Sequence, residues 1–193
     1  MAITLVPQRN LVLIGGRGSG KSALCRRILR LNKNFTLFPL DELIRYEAGG
    51  CSIPEIVAQR GWEGFRALEL QVVEKVSRFP AGALIDCGGG VVVELDTGGE
   101  EVFSARKAAA LRHHGHVIYL QRSVKYLQSR SAGDPDRPDL SAERSFREIM
   151  ERRDPWYRQA AHEVLPCGRR SKDRLAREIL ERFFANAAGQ PKV

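Results

Sequence analysis

Lys21 and Ser22 close the run Gly15-Gly16-Arg17-Gly18-Ser19-Gly20-Lys21-Ser22, which fits the G-x-x-x-x-G-K-[ST] spacing of a phosphate-binding loop. Glycines let a backbone bend around a phosphate and aim its N–H groups inward. A helix N-terminus adds partial positive charge at the same place. A lysine there reaches the β- and γ-phosphates, and the serine hydroxyl can ligate Mg²⁺. Gly18, Ser19, Gly20, Lys21, Ser22 and Ala23 are therefore the candidate nucleotide contacts, with Lys21 also a catalytic cation and Ser22 a metal ligand. The flanks argue against a chance glycine-rich turn. Asn10-Leu11-Val12-Leu13-Ile14 reads as a buried strand, and Ala23 to Leu31 carries the apolar stripe of a helix.

Phosphoryl transfer needs positioning and charge neutralisation more than covalent help, so the loop identifies the donor side but not the acceptor. Four other clusters could supply an acceptor site. Asp41, in Pro39-Leu40-Asp41-Glu42, either caps a helix or takes the proton of a substrate hydroxyl. Arg66 and Glu69 stand three apart on a helix. They form either a surface ion pair or an arginine, steadied by its glutamate, that grips a carboxylate with two parallel bonds. Ala83-Leu84-Ile85-Asp86-Cys87 is an apolar strand ending in an acid, followed by Gly88-Gly89-Gly90. Ligands of open parallel sheets lie beyond the carboxyl ends of strands, and three glycines leave room for one against the chain. Arg152 and Arg153 precede Asp154-Pro155-Trp156-Tyr157 and either complement a helix dipole or bind an anion.

The elements that must position these residues alternate. Strand patterns cover 10–15, 35–38, 82–87, 116–120 and 162–166. Helical patterns cover 20–32, 40–48, 53–60, 62–79, 103–113, 123–131, 142–153 and 171–186. Such alternation predicts an α/β chain of crossover units, with a parallel sheet covered by helices on both faces. Ser52-Ile53-Pro54-Glu55 reads as a capping box, and Ser171 as the cap of the last helix. Two segments break the pattern: 88–100, rich in glycine and acids, and 131–141, polar with two prolines. The second is either a linker or a lid that carries Arg137 over the phosphates. The four cysteines are widely spaced, which disfavours zinc or disulfides, and Cys25 and Cys87 read as core residues. His113, His114 and His116 read as a surface turn.

The clusters together, in this order, resemble the shikimate kinase family over nearly the whole chain. The residues that carry the resemblance are the phosphate loop, Asp41, Gly64-Phe65-Arg66 with Glu69, Gly88-Gly89-Gly90, Arg137-Pro138 and Arg153-Asp154-Pro155-Trp156-Tyr157. The resemblance implies a three-layer α/β/α fold with a five-stranded parallel sheet of the nucleoside-monophosphate-kinase type. It implies transfer of the ATP γ-phosphoryl to the 3-hydroxyl of shikimate, with Mg²⁺. Asp41 would contact the shikimate hydroxyls and could act as base. Arg66 and Arg153 would hold the carboxylate, and Gly88, Gly89 and Gly90 would line that pocket. Arg137 would be the lid arginine, and Arg130 would lie along the adenine. The shikimate-binding region would span about 40–70 and the lid about 131–141.

One departure concerns the metal. The family usually carries D-x-D after the second strand, and the first acid is replaced here by Pro39, which cannot ligate through its side chain. Asp86 stands at the strand end before the glycines, where the family usually has no acid. It is therefore the candidate for the missing magnesium contact. The competing reading has Ser22, phosphates and waters suffice.

The 193 residues suit one domain, and 43% hydrophobic content can build a full core. The net charge of +8 fits an enzyme holding two anions better than a nucleic-acid binder, because the arginines are dispersed. No run is long enough to span a bilayer. A cytoplasmic monomer acting on ATP and shikimate, with no nucleic-acid or membrane partner, is the expectation. Two alternatives stay open: a kinase of another small polyol or sugar acid, such as gluconate, and a ligand-sensing module without catalysis.

Overall fold

The computed structural model describes residues 5–131 and 144–188. Five strands form one parallel sheet: β1 (Asn10–Ile14), β2 (Thr36–Pro39), β3 (Ala83–Asp86), β6 (Gly115–Gln121) and β7 (Glu163–Pro166), in the order β2-β3-β1-β6-β7. The chain starts in the middle strand, crosses to the edge at β2, returns to β3 beside β1, and then passes to β6 and the opposite edge at β7. The carboxyl ends of β1 and β3 therefore flank the point where the winding reverses, the place where such sheets bind ligands.

β1 and β3 are buried along their whole length because both faces are covered. Alternate residues serve opposite cores. Val12, Ile14, Ile85, Val117 and Tyr119 pack under α2 (Leu40–Glu47), α3 (Ile53–Ser77), α4 (Ala105–His113) and α6 (Phe146–Ala160). Leu11, Leu13, Leu84, Ile118 and Leu120 pack under α1 (Lys21–Leu31) and α7 (Lys172–Ala188). Helix α5 (Val124–Ser131) closes on α6 through Leu127, Ile149 and Met150.

The expected three-layer arrangement and five-stranded parallel sheet are present. Ser52 and Glu55 form the capping box of α3, and the Ser171 hydroxyl accepts the Arg174 N–H at 3.2 Å. The break expected at residue 61 is real: Gly61 stands at φ 66° and ψ 177°, off the helix, within the span of α3. Among the described residues no helix is long and apolar enough to cross a membrane.

Three expectations need correction. Segment 88–100 and the start of the presumed helix at 103 hold an antiparallel hairpin, β4 (Val93–Leu95) with β5 (Glu101–Phe103). The helix expected over 142–153 runs instead from Phe146 to Ala160, through Pro155. Proline removes one helical hydrogen bond, but Tyr157, two residues on, is fully packed, stacked on Tyr119 with ring centres 5.0 Å apart, and holds the turn in place. His116 is not on a surface turn. It is buried in β6 and stacked on His162. The candidate lid at 131–141 and Arg137 lie outside the described residues, apart from Ser131.

Candidate active site

A cavity of about 560 Å³ opens at the carboxyl ends of the strands. Its phosphate side is the loop between β1 and α1. Gly20 is the N-cap of α1 in left-handed backbone (φ 93°), a conformation that glycine adopts without strain. Lys21 is buried, and its Nζ donates to the carbonyls of Gly15 at 2.8 Å and Gly16 at 3.2 Å. Gly18, Gly20, Lys21, Ser22 and Ala23 line the cavity, as does Arg130 from α5. Ser19 is fully buried and is not part of the wall. A Cβ at Gly18 would come within 2.9 Å of the Leu127 carbonyl, so a glycine there lets α5 close on the loop.

Asp86 also lines this cavity. In the sheet it is the register partner of Pro39 on one side and Leu13 on the other, so it stands next to the position where the family's usual acid is missing. Among the described residues no hydrogen bond or ion pair engages its carboxylate. Ser22 and Asp86 thus offer two hard oxygen donors to one cavity, a donor type suited to Mg²⁺ that shares its remaining positions with phosphate and water. Among the described residues no group of three histidine, cysteine or acidic side chains could form a self-contained metal cage. Cys87 lines the same wall, but burial and then the Asp86 charge push its thiol well above the usual range, so it is not a nucleophile.

An annexe of about 50 Å³ is lined by Asp41, Trp62, Phe65, Arg66, Glu69, Gly88, Gly89, Gly90 and Arg153. Asp41, Arg17, Ile53 and Gly89 belong to both spaces, so they mark the junction. Asp41 lies in the first turn of α2, whose N-cap is Pro39; it does not cap the helix. Arg66 is buried, donates to Glu69 at 2.8 Å, and sits over Trp62 and Phe65 at 5.4 Å and 5.2 Å from the ring centres. Burial alone would raise the Glu69 carboxyl, but Lys107 and Arg66 outweigh it and hold it below the usual carboxylate range. Arg153 is only 1% exposed and forks onto Glu101 of β5 through Nε at 3.0 Å and through Nη2.

The three glycines have individual reasons. A Cβ at Gly88 would stand 2.5 Å from Asp41 Oδ1, one at Gly89 would stand 2.9 Å from the Arg17 nitrogen, and one at Gly90 would stand 2.5 Å from both Nη atoms of Arg66. The bare backbone admits the site's own acid, its phosphate loop and its arginine, beyond any room it leaves for a ligand. The Tyr157 hydroxyl donates to the Gly89 carbonyl, and burial pushes that hydroxyl up to about 12, so it keeps its proton.

Glu101 and Lys107 were not legible in the sequence as site residues. The Lys107 Nζ, 1% exposed on α4, donates to Glu69 at 2.6 Å and to the Val93 carbonyl. Neither residue has a spacing signal. Glu101 lies in a stretch without periodicity, and Lys107, in Ser104-Ala105-Arg106-Lys107, reads as part of a solvated helix face. Tyr126 and Lys172, which also line the large cavity, gave no signal either.

The comparisons with known proteins agree with this geometry. A family model described as shikimate kinase matches residues 17–184. A shikimate kinase of Leptospira biflexa is 40% identical over 172 residues, covering 89% of this chain and 94% of that protein. One from Leptospira borgpetersenii is 36% identical over 178 residues, covering 91% and 98%. The solved shikimate kinase of Acinetobacter baumannii in complex with shikimate superposes with a TM-score of 0.78 at 27% identity, covering 92% of this chain and 94% of the other. With a phosphate loop and an arginine-lined annexe joined at Asp41, and with these relatives matching along nearly its full length, the chain belongs to the shikimate kinase family.

Proposed function

We propose that the two joined spaces are the ATP and shikimate sites of a shikimate kinase, and that the chain transfers the ATP γ-phosphoryl to the shikimate 3-hydroxyl. The observation that carries this assignment is the junction: Asp41, Arg17 and Gly89 line both spaces, so an acceptor hydroxyl in the annexe faces a phosphoryl group in the large cavity. Phosphoryl transfer depends on this kind of alignment.

The roles follow from the chemistry of each group. The loop amides and Lys21 cradle the phosphates. Arg130 flanks the base, and Arg137 is assigned to the lid on sequence grounds. Arg66 and Arg153 take the carboxylate, and Asp41 orients the 3-hydroxyl and accepts its proton. Gly88, Gly89 and Gly90 line the acceptor site. Ser22 and Asp86 would hold Mg²⁺, which supplies charge neutralisation between the phosphates when bound. The enzyme is read as a cytoplasmic monomer with no nucleic-acid or membrane partner.

The test is release of ADP from ATP in the presence of shikimate, with gluconate as the competing acceptor and Mg²⁺ titrated. Turnover with shikimate alone is the expected result. Binding of shikimate without turnover would make the chain a sensor, and turnover with gluconate would change the acceptor. Asp86→Ala is expected to raise the Mg²⁺ concentration needed for half-maximal rate well above wild type while the KM for shikimate changes little. An unchanged Mg²⁺ titration would return the metal to Ser22, phosphates and water.

A further inference from the structure

The hairpin β4–β5 borders the acceptor site; Glu101 of its second strand engages α6 through Arg152 and Arg153, and Glu100, just before that strand, adds contacts to Arg152 and to Arg144 ahead of α6. The Glu101 carboxylate forks onto Arg153, the Glu101 carbonyl accepts from Arg152 Nη2 at 2.5 Å, and Glu100 pairs with Arg144 at 2.5 Å and Arg152 at 3.5 Å. Its first strand receives Lys107 at the Val93 carbonyl, and Lys107 in turn reaches Glu69 and thereby Arg66. Arg66 and Arg153, two of the three arginines that line the annexe, are therefore held from the hairpin side.

We infer that Glu101 is a positioning residue for shikimate binding: it fixes the Arg153 guanidinium so that its remaining N–H donors face the acceptor carboxylate. This rests on the shikimate reading of the annexe. A guanidinium carries five N–H donors in a rigid plane. Glu101 uses Nε and one edge of Nη2, so the plane cannot rotate and donors remain for a ligand in the space that Arg153 lines. An arginine that is 1% exposed would otherwise be a buried charge with no fixed orientation. Glu101 is on the far side of the guanidinium and is absent from the annexe wall, so it acts through Arg153 and does not touch the acceptor.

The experiment measures KM for shikimate, KM for ATP, kcat and thermal midpoint in Glu101→Ala, Glu101→Gln and Arg153→Ala, and in the double variant Glu101→Ala with Arg153→Ala. We expect KM for shikimate to rise about tenfold in Glu101→Ala and less in Glu101→Gln, which keeps one acceptor, with KM for ATP within about twofold. In the Arg153→Ala background, loss of Glu101 should add less than about twofold, because the effect runs through that arginine. Independent, multiplying effects would overturn the inference. So would a fall in KM, which would make Glu101 a competitor for Arg153, or a parallel rise in both KM values, which would make it a fold residue. If Glu101→Ala does not fold, the Glu101→Gln variant alone decides between a selective change in the shikimate KM and none. Wild-type protein that fails to turn over shikimate removes the acceptor assignment itself. Wild-type protein that does so while Glu101 variants stay silent removes only this role.

Discussion

At Gly90 the site is limited by a single hydrogen atom. A methyl group there would stand 2.5 Å from both Nη atoms of Arg66, the flexible end of a long side chain. The chain can relieve that clash by moving the guanidinium, which disturbs the acceptor site directly and loosens the Arg66–Glu69 pair only in part. Gly90→Ala should raise the KM for shikimate roughly tenfold, about 1.4 kcal/mol, with a smaller fall in thermal midpoint than Gly89→Ala. Gly89 is a contrasting control, because its methyl would meet the Arg17 backbone at 2.9 Å and backbone cannot swing aside. Gly89→Ala should cost roughly 1–3 kcal/mol of stability and weaken both substrates, because it presses on the phosphate loop. Steady-state kinetics with a melting curve for each variant separates the two; a matched pair of phenotypes would remove the distinction. The residues proposed to touch ligands were readable from the sequence because their chemistry needs particular types at particular places: glycines in the loop, an acid after β2, an arginine on α3. The residues that hold them were not. A buried lysine such as Lys107 and a solvated one have the same letter, and only the fold brings Glu69 to within 2.6 Å of it.

Elements meet at Glu69. It belongs to α3, its partner Lys107 belongs to α4, and Lys107 also binds the Val93 carbonyl of β4. The trio Arg66, Glu69 and Lys107 is 7%, 2% and 1% exposed, so water screens little of the attraction, and removing one partner strands a charge. Glu69→Gln should destabilise the protein by about 3–5 kcal/mol at neutral pH. The pH dependence has a defined sign. The folded-state value of Glu69 lies below its unfolded value near 4.5, so its contribution is complete above that value and fades as pH falls through the folded one. Denaturant melts of wild type and Glu69→Gln should therefore differ most above about pH 5 and converge in acid. A constant gap across that range would show that Glu69 does not titrate as a paired carboxylate. The sequence analysis found the long elements and missed the short ones for the same reason. Periodicity over 62–79 is sustained, whereas β4 and β5 are three residues each, too short to alternate visibly. Pro155 was a plausible stop for α6, but burial of Tyr157 and Ala160 outweighs the lost hydrogen bond.

Across the whole molecule the charge balance is +8, and the cavity at the sheet's carboxyl edge collects Arg17, Lys21, Arg26, Arg45, Arg130 and Lys172 on its walls. Asp41, Glu42 and Asp86 line the same space, so the walls keep a positive surplus. A concave space with one sign of charge focuses the field and raises the local concentration of anions. ATP and shikimate are both anions, so encounter and binding should weaken as salt shortens the reach of that field, which is ~10 Å at 0.1 M ionic strength. Lys21, Arg66 and Arg153 are buried, so once both ligands are seated the screening of their contacts should be slight. Raising the salt from about 20 mM to about 300 mM should therefore raise both KM values several-fold while kcat stays within about twofold. Initial rates at matched Mg²⁺, with the chloride and acetate salts compared, would measure this. If kcat fell and the KM values held, salt would be acting on the transfer step or on closure of the site, and the surplus charge would have no part in bringing the substrates in.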